Sequence, residues 1–178
     1  MTRIAGMASN RGRNLMHVQD RRPGGATLAV VVTNDPAAPV LEKAEERGIP
    51  TEVVEMEEDM DRFDHERAIV DALSEYDLDL VALDGYMRVL SSVFLDAMPT
   101  TINVHPSLLP AFPGMDAHEQ VLDAGVSVTG CTVHVVHDAV ADDGSLIEAE
   151  VDAGPIVTQE SVPVYEDDDQ ESLKRRVL

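Results

Sequence analysis

The chain has 178 residues, 44% of them hydrophobic, which is enough for one domain with a sizeable core. Its 34 acidic residues outnumber 13 lysines and arginines, and a net charge of −21 argues against partners that are nucleic acids or anionic membranes. The one cysteine, Cys131, excludes an internal disulfide, and no apolar run approaches the length of a membrane span.

Strands alternate with helices along the chain, which predicts an α/β fold with a doubly wound, mostly parallel sheet. Strands are expected at Arg3 to Ala8, Ala26 to Thr33, Thr51 to Glu55, Leu78 to Leu83, Thr100 to Val104, Gly130 to His137 and Ile156 to Pro163. Helices are expected to begin near Leu15 and to cover Val40 to Arg47, Arg62 to Tyr76, Asp116 to Ala124 and the segment from Asp167 onward.

A polar turn, Ser9 to Asn14, joins the first strand to the first helix. A glycine turn before a helix can hold phosphate, because backbone N–H groups and the helix dipole point at the anion. Gly12 and Asn14 could cradle one phosphate in this way, with charge from Arg11 or Arg13. The turn matches neither a dinucleotide fingerprint nor a P-loop, and an ordinary strand–helix connection explains it equally well.

Asn103 and His105 lie two residues apart at the end of the fifth predicted strand, so their side chains share one face. Pro106, Pro110 and Pro113 then end the strand and stiffen the loop that follows. An amide donor beside an imidazole suits a reaction that passes through an oxyanion. A hydrogen-bonded polar pair without catalytic function is the alternative.

The remaining histidines show no metal-site pattern. On the predicted strand Gly130 to His137, His134 and His137 fall on opposite faces, which argues against a shared metal ion. His134 could support the cleft from that strand or simply pack within it. His17 and His65 are predicted to be solvated helix residues.

The acidic residues are spread over every region of the chain. Their mutual repulsion is strong in dilute buffer and screened in concentrated salt. This distribution predicts a protein from a halophilic organism, and one cysteine with no signal peptide predicts a cytoplasmic location. A merely acidic mesophilic protein is the alternative.

Four motifs together resemble those of a known family: Ser9 to Leu15, Gly85 to Leu90, Asn103 to Pro110 and Asp152 to Ile156. In this order and spacing the chain resembles the phosphoribosylglycinamide formyltransferases over essentially its whole length. The block Asn-x-His-Pro-Ser-Leu-Leu-Pro with a later Asp-x-Gly-Pro is specific to formyl-folate enzymes. The polar turn near the N-terminus selects the glycinamide ribonucleotide branch.

The resemblance implies the formyltransferase fold, with a Rossmann-like N-terminal half, as a single domain over residues 1–178. It implies transfer of a formyl group from the co-substrate 10-formyltetrahydrofolate to the amine of glycinamide ribonucleotide in purine synthesis, without a metal ion. The implied catalytic residues are Asn103, His105 and Asp152. The implied phosphate-binding residues are Gly12, Arg13 and Asn14, and the implied folate-binding residues are Met87, Arg88, Val89 and Leu90. Further positions around the ligands are matched by Pro106, Gly114 and His118.

Several features depart from the family pattern. The stretch Ala141 to Val151 is an apparent insertion in a loop that contacts the pterin in relatives, which affects the expected folate affinity. Within it, Asp142 begins a second Asp-x-Gly and rivals Asp152, which is preferred because Gly-Pro-Ile continues its motif. Arg13 stands where a small serine is common.

The chain stops inside its last predicted helix, and relatives use a later glutamate on the substrate ribose. We therefore expect a piece of a longer protein that lacks its C-terminal helix. Alternatives within the fold are a methionyl-tRNA formyltransferase domain and a formyltetrahydrofolate hydrolase. The remaining alternative is a non-catalytic ligand-binding domain of a fusion protein. The oligomeric state is left open.

Overall fold

One seven-stranded sheet forms the centre of the molecule, and the computed structural model describes all residues from 1 to 178. The strands are β1 (Arg3–Met7), β2 (Thr27–Thr33), β3 (Thr51–Val53), β4 (Leu80–Leu83), β5 (Thr101–His105), β6 (Val128–Val135) and β7 (Ile156–Pro163). Their order is β3-β2-β1-β4-β5-β6-β7. Neighbours from β3 to β5 pair in parallel, whereas β6 and β7 join in antiparallel fashion. The predicted doubly wound, mostly parallel sheet is confirmed.

Six α-helices connect or flank the strands: α1 (Arg13–Arg21), α2 (Val40–Glu45), α3 (Arg62–Leu73), α4 (Ser92–Leu95), α5 (Ala117–Ala124) and α6 (Gln170–Val177). Short 3₁₀ turns occur at Pro23–Gly25 and Glu148–Glu150. None of the helices combines the length and apolar character that crossing a membrane requires.

Successive residues of the central strands are buried on opposite faces of the sheet. Ile4 and Val31 belong to a core cluster with residues of α1 and α2. Ala5 and Val30 belong to a second cluster with residues of α3 and α4. Burial on both faces explains why these strands read as near-continuous apolar runs in the sequence.

The order of strands reverses between β1 and β4, which are neighbours in the sheet although β2 and β3 intervene in the chain. In open α/β sheets the crevice for ligands lies at such a switch point, beyond the carboxyl ends of the strands. The turn after β1 and the segment after β4 meet there, since the Ser9 N–H donates to the Gly85 carbonyl at 3.1 Å.

All seven predicted strands are present, and most element ends lie within two residues of the prediction. The helices α2, α3 and α6 are shorter than predicted. Helix α6 begins at Gln170 because the Asp169 side chain accepts the Ser172 N–H. The prediction for His65 is wrong. This side chain is 1% exposed and its Nε2 lies 2.8 Å from the Val54 carbonyl, so it ties α3 to the segment after β3.

The short helix α4 was not predicted, and a buried carboxylate from α3 holds its start. Glu66 is 2% exposed. It accepts hydrogen bonds from the Ser91 N–H at 3.0 Å, from the Ser91 hydroxyl and from the Phe94 N–H at 3.2 Å. One turn earlier on α3, the Arg62 guanidinium donates to the Val89 carbonyl. Through these two side chains, helix α3 holds the segment between β4 and α4 in place.

Replacing Glu66 with alanine is expected to lower the free energy of unfolding by about 2–4 kcal/mol, because buried N–H and hydroxyl donors lose their only charged acceptor. Denaturant unfolding would measure the change. Asp71 lies exposed on the same helix, so Asp71→Ala serves as the matched control and should stay within about 0.5 kcal/mol of the parent. Equal effects of the two substitutions would contradict the structural role of Glu66.

The net charge of −21 leads to a prediction about salt. We expect the midpoint of thermal unfolding to rise by about 5–10 °C between dilute buffer and 2 M KCl, because ions screen repulsion among the carboxylates. Sucrose at matched osmolality separates screening from a general osmolyte effect. A midpoint that is flat or falls with KCl would contradict the expected adaptation to salt, which stays a prediction.

Candidate active site

Three polar side chains of the site, those of Asn103, His105 and His134, lie on the paired ends of β5 and β6. In the antiparallel pairing of these strands, Asn103 lies opposite His134 and His105 lies opposite Thr132. Asn103 also pairs with Leu83, the last residue of β4. Asn103 and His105 therefore lie at the carboxyl end of the parallel sheet, as predicted from the sequence.

His105 is held at both ring nitrogens by oxygen atoms. It is 4% exposed; its Nε2 lies 2.8 Å from the Phe112 carbonyl and its Nδ1 lies 3.2 Å from Oδ2 of Asp152. The Phe112 carbonyl only accepts hydrogen bonds, so Nε2 carries a hydrogen, and a protonated ring can also direct its Nδ1 hydrogen toward Asp152. The pair thus holds one proton that can pass between carboxylate and imidazole or on to a bound substrate.

Asp152 is fixed by its backbone and by its partners. Its φ of 55° lies in the left-handed region, which aspartate and asparagine enter more readily than most residues. Oδ2 accepts the Gly114 N–H at 2.8 Å. Burial raises the pKa of Asp152, but the contact with His134, the charge of His105 and the Gly114 N–H together hold that pKa below its usual value.

The motif after Asp152 contains a glycine that no other residue could replace without moving the chain. A Cβ on Gly154 would come 1.8 Å from the Val135 carbonyl at the end of β6. The Val135 N–H in turn donates to the Pro155 carbonyl at 2.9 Å. This close approach brings the chain after Asp152 against the end of β6, next to His134.

Asn103 and Asp152 are linked through His134, which is 2% exposed. Its Nε2 lies 3.2 Å from Nδ2 of Asn103 and 3.5 Å from Oδ1 of Asp152, and its Nδ1 lies 3.2 Å from the Val135 carbonyl. A neutral ring protonated on Nδ1 accepts from Asn103, whereas a protonated ring donates to Asp152. In the neutral state, one amide hydrogen of Asn103 is engaged and the other remains available to an oxyanion.

The rival carboxylate Asp142 lies elsewhere. It is exposed in a turn whose ends are joined by a bridge between Val140 and Leu146. The predicted insertion therefore forms a folded turn, followed by the 3₁₀ turn, in which Glu150 lies 3.1 Å from Nε2 of His137. Asp152, and not Asp142, contacts His105.

The proline-rich loop after β5 shapes one side of the site. Pro106 directly follows His105, and the Leu109–Pro110 peptide bond is cis. At the start of α5, His118 has both ring nitrogens buried without a hydrogen-bond partner. Burial, and to a lesser extent Lys174 and His105, lowers the pKa of His118, so its ring is neutral at pH 7. No three histidine, cysteine, aspartate or glutamate side chains are grouped to hold a metal ion.

The turn before α1 is shaped by Gly12, which is buried with a φ of 50°. A Cβ there would come 2.7 Å from Cγ2 of Val40, so the turn requires glycine. Arg13 is exposed beside it. Asn14, predicted to bind phosphate, instead directs its backbone N–H and its Nδ2 to the Asp84 carboxylate at 2.8 and 2.9 Å. The N–H groups of Gly12 and Arg13 remain without a hydrogen-bond partner.

The segment predicted to bind folate follows β4 and touches the same turn. The Met87 N–H donates to the Ser9 hydroxyl at 2.8 Å, and Ser9 donates to Asn34 at 2.6 Å. Met87 is 52% exposed, and Arg88 and Val89 are partly exposed. Leu90 is 2% exposed and packs in the core, so its side chain is not available to a ligand and only its backbone is.

Comparison with known proteins now identifies the family. A family model described as "Formyl transferase" matches residues 2–178. The chain belongs to the formyl transferase family. Phosphoribosylglycinamide formyltransferase of Bacillus subtilis is 37% identical over 99% of this chain and 87% of its own length. The crystal structure of glycinamide ribonucleotide transformylase 1 from Symbiobacterium toebii superposes with a TM-score of 0.87 at 38% identity, covering 99% of this chain and 80% of that one.

Longer proteins are also similar to this chain. The trifunctional purine biosynthetic protein adenosine-3 of Bos taurus is 44% identical over 98% of this chain. The chain spans only 17% of that protein's length. The resemblance drawn from the four motifs is thus confirmed at the level of the family.

Sequence reasoning missed two carboxylates near these segments. Asp84 and Glu66 each accept hydrogen bonds from the start of a helix that is distant in sequence. Asp84 lies 70 residues from its partner Asn14, and Glu66 lies 25 residues from its partner Ser91. The sequence offered one signal for Asp84, because it directly follows a predicted strand, at the position where ligand-site residues concentrate. Glu66 gave no signal, because an acidic residue on a helix is normally solvated.

Proposed function

We propose that this chain transfers the formyl group of 10-formyltetrahydrofolate to the amine of glycinamide ribonucleotide. The observation that carries the proposal is the cluster of Asn103, His105 and Asp152, in which His134 links the amide donor to the pair of His105 and Asp152. Relatives named phosphoribosylglycinamide formyltransferase that are similar over almost the whole chain support the choice of reaction.

The chemistry of the transfer requires one oxyanion site and one proton path. The substrate amine attacks the formyl carbon, the new N–C bond forms, and the carbonyl oxygen becomes an oxyanion. Asn103 donates its free amide hydrogen to that oxygen, and protonated His105 stabilises it. The bond from the formyl carbon to folate N10 then breaks, as the amine loses a proton and N10 gains one. Asp152 orients the imidazole and takes part in that proton transfer.

The two substrates approach from neighbouring segments. The phosphate of the ribonucleotide would bind at the start of α1, where the N–H groups of Gly12 and Arg13 are free. Folate would lie along the segment from Met87 to Leu90, using backbone groups and the exposed part of Met87 and Arg88. The link through Ser9 places these segments side by side, which suits a reaction between two bound molecules.

The deciding experiment is a formyl-transfer assay with both substrates, in dilute buffer and in 2 M KCl. We expect turnover that requires the ribonucleotide. Folate breakdown without an acceptor would instead indicate a hydrolase, and formylation of methionyl-tRNA would indicate the tRNA enzyme. Binding of both small molecules to the folded protein without turnover would indicate a non-catalytic domain.

A further inference from the structure

The start of α1 already holds an anion that belongs to the protein. Asp84 is 9% exposed and is the first residue after β4. Its carboxylate accepts the backbone N–H of Asn14 at 2.8 Å, the Nδ2 of Asn14 at 2.9 Å and the backbone N–H of Leu15 at 3.4 Å. No basic side chain forms an ion pair with Asp84. The helix start is therefore its main source of compensating charge.

This arrangement divides the N–H groups of the turn into two pairs. The backbone N–H groups of Asn14 and Leu15 donate to Asp84, whereas the N–H groups of Gly12 and Arg13 have no hydrogen-bond partner. A phosphate dianion bound to the free pair would share the helix start with a carboxylate. The negative charges of the phosphate and of Asp84 would repel each other, and the low exposure of Asp84 reduces solvent screening of that repulsion.

We propose that Asp84 is a positioning and specificity residue for the phosphate group of the substrate. Asp84 fixes the turn by holding Asn14 and so directs the phosphate to Gly12 and Arg13. Its negative charge also weakens phosphate binding, and salt screens this repulsion. The inference rests on the proposed function, because it takes the ribonucleotide phosphate as the ligand of this turn. It also gives a physical reason for substrate affinity to improve with ionic strength.

Asp84→Asn is the variant that separates charge from shape. Asparagine retains one side-chain oxygen, which can take the place of Oδ2 as the acceptor for the two backbone N–H groups. The Asn14 amide can rotate to present its own oxygen to the new NH₂ group. The matched control is Asp77→Asn. Asp77 is exposed before the opposite end of β4, so its replacement removes one charge far from the turn.

Two readouts test the inference. The first is the dissociation constant for inorganic phosphate, measured by calorimetry without any turnover, at low ionic strength and in 1 M KCl. Asp84→Asn should bind phosphate about three- to tenfold more tightly than the parent in dilute buffer. The difference should shrink to within about twofold in 1 M KCl, where the screening length is about 3 Å. The second readout is the KM for the ribonucleotide, which should fall in parallel while kcat and the KM for folate stay within about twofold.

The outcomes distinguish this inference from the proposed function. Tighter phosphate binding by Asp84→Asn, with Asp77→Asn equal to the parent, supports the role of Asp84 even if no formyl transfer is seen. Phosphate binding that is absent in both proteins, or that is unchanged or weakened by Asp84→Asn at low salt, overturns it even if formyl transfer is robust. An equal gain in Asp77→Asn overturns it too, since the effect would then come from net charge.

Discussion

Replacing Asp152 with asparagine is expected to lower kcat by about 10²- to 10⁴-fold, because the variant cannot take up or hold the proton shared with His105. Asparagine is the appropriate replacement, since it tolerates the left-handed backbone at this position and retains an oxygen for the Gly114 N–H. Steady-state kinetics with both substrates saturating would measure the loss, and unfolding midpoints would show that the fold is kept.

The dependence of kcat on pH gives the prediction for Asp152 a second test. Because the pKa of Asp152 lies below its usual value, its ionised form is retained throughout the neutral and mildly acidic range. Titration of Asp152 should therefore not shape the profile between pH 6 and 9. A fall in the rate of the parent enzyme between pH 9 and pH 6 that is caused by protonation of Asp152 would contradict this expectation.

Asp142→Asn is the matched control, since it makes the same substitution in the competing Asp-x-Gly. Its carboxylate is exposed on the folded turn, so kcat should change by less than about twofold. A large loss in Asp142→Asn with little effect in Asp152→Asn would reverse the assignment of the acid. Comparable losses in both would contradict the assignment of Asp152 as the one catalytic acid of the pair.

The presence and positions of the central strands could be predicted because burial on both faces leaves a direct record in the sequence. The run from Leu28 to Val32 is apolar throughout, since Val31 packs against one helical layer and Val30 against the other. Helix α4 left no such record. It has four residues, and its start is stabilised by Glu66 from a distant helix rather than by local periodicity.

The candidate catalytic cluster could be anticipated in part, because Asn103 and His105 lie on one strand and the alternation of side chains fixes their common face. The choice of Asp152 rested on motif resemblance, and its contact with His105 depends on the close approach of Gly154 to β6. The engagement of Asn14 by Asp84 could not be predicted. It depends on how two loops at the switch point meet, which no local pattern encodes.

Replacing Asn103, the proposed neutral donor to the oxyanion, is the second test of the mechanism. Asn103→Ala is expected to lower kcat by about 10²- to 10³-fold, because the oxyanion loses its neutral donor. The KM values should change little, since this donor acts mainly after the amine has attacked. A loss confined to KM would show that Asn103 binds substrate rather than the oxyanion.

His134 provides the control for how Asn103 acts. His134 contacts the Asn103 amide at 3.2 Å and so restricts the direction of its free hydrogen. His134→Ala should therefore lower kcat by less than Asn103→Ala does, and the double variant should be no slower than Asn103→Ala alone. Losses that multiply in the double variant would instead mean that His134 acts independently, through its 3.5 Å contact with Asp152. The double-mutant cycle thus decides whether the imidazole of His134 serves the oxyanion donor or the proton-holding pair.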